Sequence, residues 1–133
     1  MPKKGDTFTV PIGNAQLGWG TYRNPTNRVP INGEAYFAIP RIYAKRYGLY
    51  NSMHSKTGLG YNEFYASTAD GFINEEILLA QGNVEAGDPY AKNFSFKGNL
   101  KRLGDWFAYC GATTSNQIRV TFTSSTTLIL EII

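Results

Sequence analysis

Gln117-Ile118-Arg119-Val120-Thr121-Phe122-Thr123, then Ser124-Ser125, then Thr126-Thr127-Leu128-Ile129-Leu130-Glu131-Ile132 is the stretch whose reading decides the fold. Two β-branched runs flank a short polar break, which predicts a closing β-hairpin. Upstream, Leu100, Leu103, Trp106 and Phe107 fall on one helical face. Asn99 is the expected N-cap of that helix, Gly104 weakens it, and Gly111 ends it. Tyr90–Phe96, Ile77–Ala80 and Tyr61–Ala66 read as further strands, and Asp70-Gly71 as a turn between two of them. Ile42, Tyr43, Arg46 and Tyr47 have helical spacing, with Pro40 suited to the first turn and Gly48 to the stop. Glu34–Ile39 and Thr7–Ile12 complete the strands. The expectation is a mainly β fold of about seven strands with two short helices, closed as a barrel or a sandwich.

The chain has 133 residues, which is the size of one domain, and no internal repeat or linker divides it. Apolar residues at 42% and charged residues at 17% describe a globular chain. A single cysteine, Cys110, leaves no internal disulfide and fits a reducing, cytoplasmic setting. No apolar leader opens the sequence and no window has the length of a membrane span, so no membrane partner is expected. The net charge of +3 is unevenly spread. Residues 1–60 carry eight bases and two acids, 61–90 six acids and no base, and 91–133 five bases and two acids. That order predicts cationic flanks on one face with an acidic back, a plausible footprint for a polyanion. Chance unevenness over short segments is the competing reading.

Two segments look functional, the first too polar and too rich in glycine for a core, the second with one apolar face for the core and one polar face. The first runs from Asn14 to Arg28 and holds Asn14, Gln16, Arg23, Asn24, Asn27 and Arg28. Arg pairs with guanine edges, and Asn or Gln with adenine. Trp19 and Tyr22 are placed to brace the loop or pack on sugars, and Thr21 lies between them. An ordinary surface loop, with Trp19 turned back into the core, explains the same residues. The second runs from Tyr90 to Asn99. In a strand it puts Lys92, Phe94 and Phe96 on one face and Asn93, Ser95 and Lys97 on the other, offered outward. A half-buried edge strand guarded by lysine is the alternative.

The order of motifs resembles the B3-like DNA-recognition domain of prokaryotic restriction endonucleases. The likeness is strongest to the kind joined to phospholipase-D-like nuclease domains, and plant B3 transcription factors share the fold. It is carried by Leu17-Gly18-Trp19-Gly20-Thr21-Tyr22-Arg23, Glu34-Ala35-Tyr36-Phe37-Ala38-Ile39-Pro40, Asp70-Gly71, and Asn99-Leu100-Lys101-Arg102-Leu103-Gly104-Asp105-Trp106-Phe107, and spans about residues 14 to 109. The resemblance implies a seven-stranded open barrel, a B3-like pseudobarrel, with a short helix at each end. It further implies double-stranded DNA as partner, held in the major groove by two jaws, Asn14–Arg28 and Lys92–Asn99. Arg23 would read a base, with Gln16, Thr21, Tyr22 and Asn24 beside it and Lys92, Asn93, Ser95 and Asn99 opposite. Lys97, Arg28 and Arg41 would hold phosphates.

No catalytic constellation is legible. His54 is the lone histidine, Cys110 follows an apolar helix face and reads as packed, and no Cys/His spacing suits zinc. Asp70, Glu75 and Glu76 sit beside a turn, where acids are usually solvated. Asp88-Pro89-Tyr90-Ala91-Lys92 has the residue types of a metal nuclease without its spacing. The expectation is therefore a non-enzymatic recognition module without a cofactor, the target-recognition part of a restriction–modification system, with any nuclease in another domain or chain. Two alternatives stay open: a small nuclease with an unread site, and a carbohydrate- or protein-binding β module suggested by Trp19 and Tyr22.

Overall fold

The computed structural model describes residues 1–13, 35–82 and 87–133. Its strands are β1 (Thr7–Pro11), β2 (Phe37–Ala38), β3 (Glu63–Thr68), β4 (Glu76–Gln81), β5 (Asn93–Phe96), β6 (Gln117–Phe122) and β7 (Thr127–Ile132). Two helices, α1 (Arg41–Tyr47) and α2 (Arg102–Cys110), complete it. The strands form one seven-stranded sheet in the order β1-β6-β7-β3-β4-β5-β2. The sheet curls into a nearly closed barrel, so the expected mainly β barrel with two helices is what forms.

The terminal hairpin sets the register, with Val120 opposite Leu130 and Phe122 opposite Leu128. Period-two alternation sends Ile118, Val120, Phe122, Leu128 and Leu130 inward. β1 adds Phe8 and Val10 to the same core against β6. β3 joins β7 in parallel and β4 in antiparallel pairing. The barrel centre holds Phe37, Phe64, Phe94 and Phe122; Phe64 meets Phe94 and Phe122 edge-on at 6.0 and 5.4 Å.

The helices close opposite ends. α1 follows β2 directly. Gly48 ends it in the left-handed conformation at φ 72°, and Lys45 and Arg46 sit in its last turn, where cations suit the helix dipole. The Tyr47 hydroxyl donates to the Thr7 carbonyl at 2.8 Å, fixing α1 to the start of β1. α2 buries Leu103, Trp106 and Phe107 under the other end, as their spacing predicts, and ends at Gly111.

Several boundaries differ from the sequence reading. β3 begins two residues after Tyr61, because the Tyr61 and Asn62 N–H groups donate to the Gly58 carbonyl in a turn. Asn99 does not cap α2. Lys101 holds the N-cap position without a side-chain cap bond, and Asn99 instead accepts the Arg102 N–H through its carbonyl at 3.2 Å. Only Phe37 and Ala38 of the expected Glu34–Ile39 strand are laddered; Glu34 lies outside the described residues. Cys110 is exposed rather than packed.

Three acids of the middle segment are paired with bases of the flanks. Glu63 pairs with Lys97, Glu76 with Arg102 at 2.9 Å, and Asp88 with both Arg41 and Lys92. Glu63, Glu76 and Asp88 thus neutralise bases from both flanks, brought near them by the pairing of β3, β4 and β5.

Candidate functional site

β5 is flanked by β4 and β2, with Asn93 opposite Gln81 on one side and Ala38 on the other. Its inward residues, Phe94 and Phe96, are buried in the core. On its outer face, Tyr36, Gln81, Gly82, Asn93 and Ser95 line a cleft of about 250 Å³. The alternation expected from the sequence therefore holds for these residues. Ser95, however, is not offered to solvent: it is 2% exposed, and its hydroxyl accepts the Gln81 Nε2–H at 2.8 Å. Sandwiching between two strands gives it neighbours on both sides, which an edge-strand reading omits.

The β4–β5 connection starts at Gly82, whose φ of +114° is a conformation for glycine. A Cβ there would lie 3.1 Å from the Lys92 Cβ and 3.2 Å from the Asn93 Nδ2. Glycine thus sets the close approach of the connection's two ends beside the cleft. Asn51, fully buried, ties the same ends together: its Nδ2 donates to the carbonyls of Gly82 at 3.0 Å and Asp88 at 2.6 Å. Sequence reading missed this residue, since a buried Asn in the polar segment 51–60 has no local signature.

Asp88 organises the charge here. Its Oδ1 accepts the Tyr90 N–H at 3.0 Å, and its Oδ2 accepts from Lys92 Nζ at 2.6 Å and from Arg41 Nη1. The Lys92 bond, the Tyr90 N–H and the Arg41 guanidinium hold the Asp88 carboxyl well below the usual carboxylate range, against some desolvation. Arg41 and Lys45 lie over the Tyr90 ring at 5.7 and 5.9 Å from its centroid, and that ring stacks on Tyr50 at 5.6 Å. Tyr50 stacks on His54 at 3.6 Å, which is where the lone histidine resides.

The expected second jaw is thus largely a strand rather than a loop. Pairing of Phe94 with Ala80 and Phe37 keeps this chain extended. Lys92 and Asn93 stand at the α1 end. Lys97, about 17 Å further along an extended chain, pairs with Glu63, and Asn99 is exposed in the turn before α2. The structure brings Arg41 and Lys92 together at Asp88, sets Asn93 and Ser95 in the cleft, and places Lys97 and Asn99 toward the other end of β5. The first-jaw residues Asn14, Gln16, Trp19, Thr21, Tyr22, Arg23, Asn24, Asn27 and Arg28 lie outside the described residues. The connection that contains them leaves β1 and reaches β2 at the α2 end, where Ile12 N–H donates to Asn116 and Ala35 N–H to Leu100.

A second group gathers round Asp70. Its Oδ2 accepts from Trp106 Nε1 at 2.9 Å and Cys110 Sγ at 3.2 Å, and its Oδ1 from Thr68 Oγ1 at 2.6 Å and the Phe72 N–H at 3.0 Å. Desolvation opposes the charge, but these four bonds outweigh it and lower the carboxyl well below its usual value. Partial burial, with the Asp70 bond and charge, pushes the Cys110 thiol up to about 11. Among the described residues Glu75 is the non-glycine residue at positive φ, 50°, its N–H donating to Ser67. Among the described residues, no group of three or more His, Cys, Asp or Glu is disposed to hold a metal ion, and no helix is long and apolar enough to cross a membrane.

Fold and site together define a small β-barrel with a cleft on its outer face, lined by Gln81, Asn93 and Ser95, beside a cationic helix. No protein-family model matches the chain, and no curated protein does. Among solved structures it is similar to a hypothetical protein of Arabidopsis thaliana, at 8% identity and a TM-score of 0.54, over 100% of this chain and 94% of that one. At that identity the likeness concerns the fold alone.

Proposed function

We propose that this chain is a sequence-specific double-stranded-DNA-binding module without catalytic activity of its own, the target-recognition part of a restriction–modification system. The observation that carries this reading is the juxtaposition of amide side chains and cations on one side of the barrel. Gln81 and Asn93, the residue types that read adenine edges, line the outer cleft, and Arg41, Lys45 and Lys92 gather next to it. Ala35, where the described chain enters β2, and Gly82, where it leaves β4, lie toward opposite ends of the β5–β2 pair. The β1–β2 connection contains Arg23, with Gln16, Thr21, Tyr22 and Asn24 as its neighbours in base reading. Any cleavage would come from a partner nuclease domain or chain.

Selection from a random duplex pool, followed by gel shift, tests the proposal. An enriched motif is expected. Arg23→Ala and Asn93→Ala should each weaken the selected site by about 1–3 kcal/mol and relax sequence choice at one position. Absence of binding to any duplex at low salt would sink the reading. Plasmid cleavage that requires Mg²⁺ and stops with EDTA would replace it with a nuclease.

A further inference from the structure

We propose that Arg41, Lys45 and Lys92 form a phosphodiester-binding site that Asp88 fills as an internal counter-ion until a polyanion replaces it. The inference rests on the duplex reading for the identity of the polymer, but not for the existence of the site. Three cations converge on the Tyr90 edge: Arg41 and Lys45 over its ring, and Lys92 through the shared carboxylate of Asp88. Lys45 has no carboxylate partner among the described residues. Among the described residues one acid therefore faces three bases, leaving an excess of positive charge.

The two sides of this contact differ in exposure and in anchoring. Asp88 is fixed from below: buried Asn51 holds its carbonyl at 2.6 Å, and the Tyr90 N–H holds its Oδ1 at 3.0 Å. Its side chain is 15% exposed, whereas those of Arg41 and Lys92 are 52% and 31% exposed. The cations are thus long, accessible and able to swing, while the carboxylate is not. A phosphodiester presents the same pair of anionic oxygens to Arg and Lys as a carboxylate does. An incoming phosphate therefore takes over both cations without moving the backbone. The consequence is functional. Internal neutralisation lowers affinity for arbitrary polyanions and leaves discrimination to base contacts in the cleft.

The test is Asp88→Asn, which keeps an oxygen for the Tyr90 N–H and removes the charge. Binding to a random-sequence duplex should tighten roughly fivefold at moderate salt, with a log K against log salt slope steeper by about 1–2. Elution from immobilised heparin should move to higher salt. Adding Arg41→Gln and Lys92→Gln should abolish the gain. Glu131→Gln, which makes the same charge change beside Arg119, should give a clearly smaller gain. Independently, Lys45→Gln should reduce heparin retention more than Lys101→Gln at the α2 end; equal losses overturn the site even if Asp88→Asn misfolds. Unchanged or weaker heparin retention by Asp88→Asn, a gain matched by Glu131→Gln, or a gain that survives loss of Arg41 and Lys92 likewise overturns it. A heparin shift with no duplex binding by any variant keeps the site and removes DNA as its ligand.

Discussion

The side-chain amide of Asn51, with no exposure to solvent, donates to the carbonyl of Asp88 at 2.6 Å. The same nitrogen reaches the Gly82 carbonyl at 3.0 Å, while its Oδ1 accepts the Met53 N–H at 2.9 Å. One buried side chain therefore joins the segment before β3 to both ends of the β4–β5 connection. Asn51→Ala leaves these carbonyls unpaired in a buried site, and a loss of about 2–3 kcal/mol is expected in urea denaturation. Asn51→Asp should fare no better, because an ionised carboxylate cannot donate to carbonyls. Full stability in either variant would show that water replaces the clasp without cost.

Asp70 and Trp106 make the equivalent tie at the α2 end. Trp106 is 1% exposed, and its indole N–H has the Asp70 carboxylate as partner at 2.9 Å. Asp70→Ala should cost about 1–3 kcal/mol by stranding that donor. The pH dependence follows from the lowered carboxyl. An unfolded-chain Asp titrates near about 4, so the contribution is complete above that pH. As pH falls further, the unfolded chain takes up the proton first and stability declines until the folded carboxyl also titrates. Thermal unfolding between pH 7 and pH 2 should show a shallower acid loss in Asp70→Asn than in the parent. Parallel curves for the two proteins would contradict this.

These ties also mark where the sequence was readable and where it was not. Alternation in Gln117–Ile132 and in Asn93–Phe96 reports which side chains face the core, because each strand's inner face is apolar over its own few residues. Helix stops at Gly48 and Gly111 are equally local. Asp88 and Arg41 are separated by 47 positions and Asp70 and Trp106 by 36, so neither pairing has a local sequence signal. For that reason the sequence did not show that Glu63, Glu76 and Asp88 are counter-charges of bases in the flanking segments. Ser95 shows the same limit: its type and register were legible, its covering by Gln81 was not.

Cys110 is exposed, yet the Asp70 carboxylate accepts its S–H at 3.2 Å and its thiol is pushed up to about 11. Thiolate is the reacting form, so exposure does not make this thiol reactive. Alkylation by iodoacetamide at pH 8.5 should run about 10- to 100-fold slower than that of a small free thiol, after allowance for the greater nucleophilicity of a more basic thiolate. The rate should keep rising past pH 10. Asp70→Asn, which removes the adjacent charge, should accelerate the reaction near pH 8.5; an unchanged rate would mean that burial alone sets the thiol.

Lys92 and Lys97 separate the two ends of the strand that the sequence treats as one jaw. Lys92 stands beside Asn93, Arg41 and the cleft; Lys97 is held by Glu63 about 17 Å along the chain. If DNA is gripped at the β4–β5 connection, the two lysines contribute unequally despite their common strand. Lys92→Ala should flatten the log K against log salt slope by about 1, the signature of one lost phosphate contact. Lys97→Ala should change the slope by less than half of that, because its ammonium stands at the far end of β5 from that connection. Fluorescence anisotropy on the selected duplex across a salt series checks both. Equal slopes for the two variants would place the duplex along the whole length of β5 and enlarge the footprint to the turn containing Asn99.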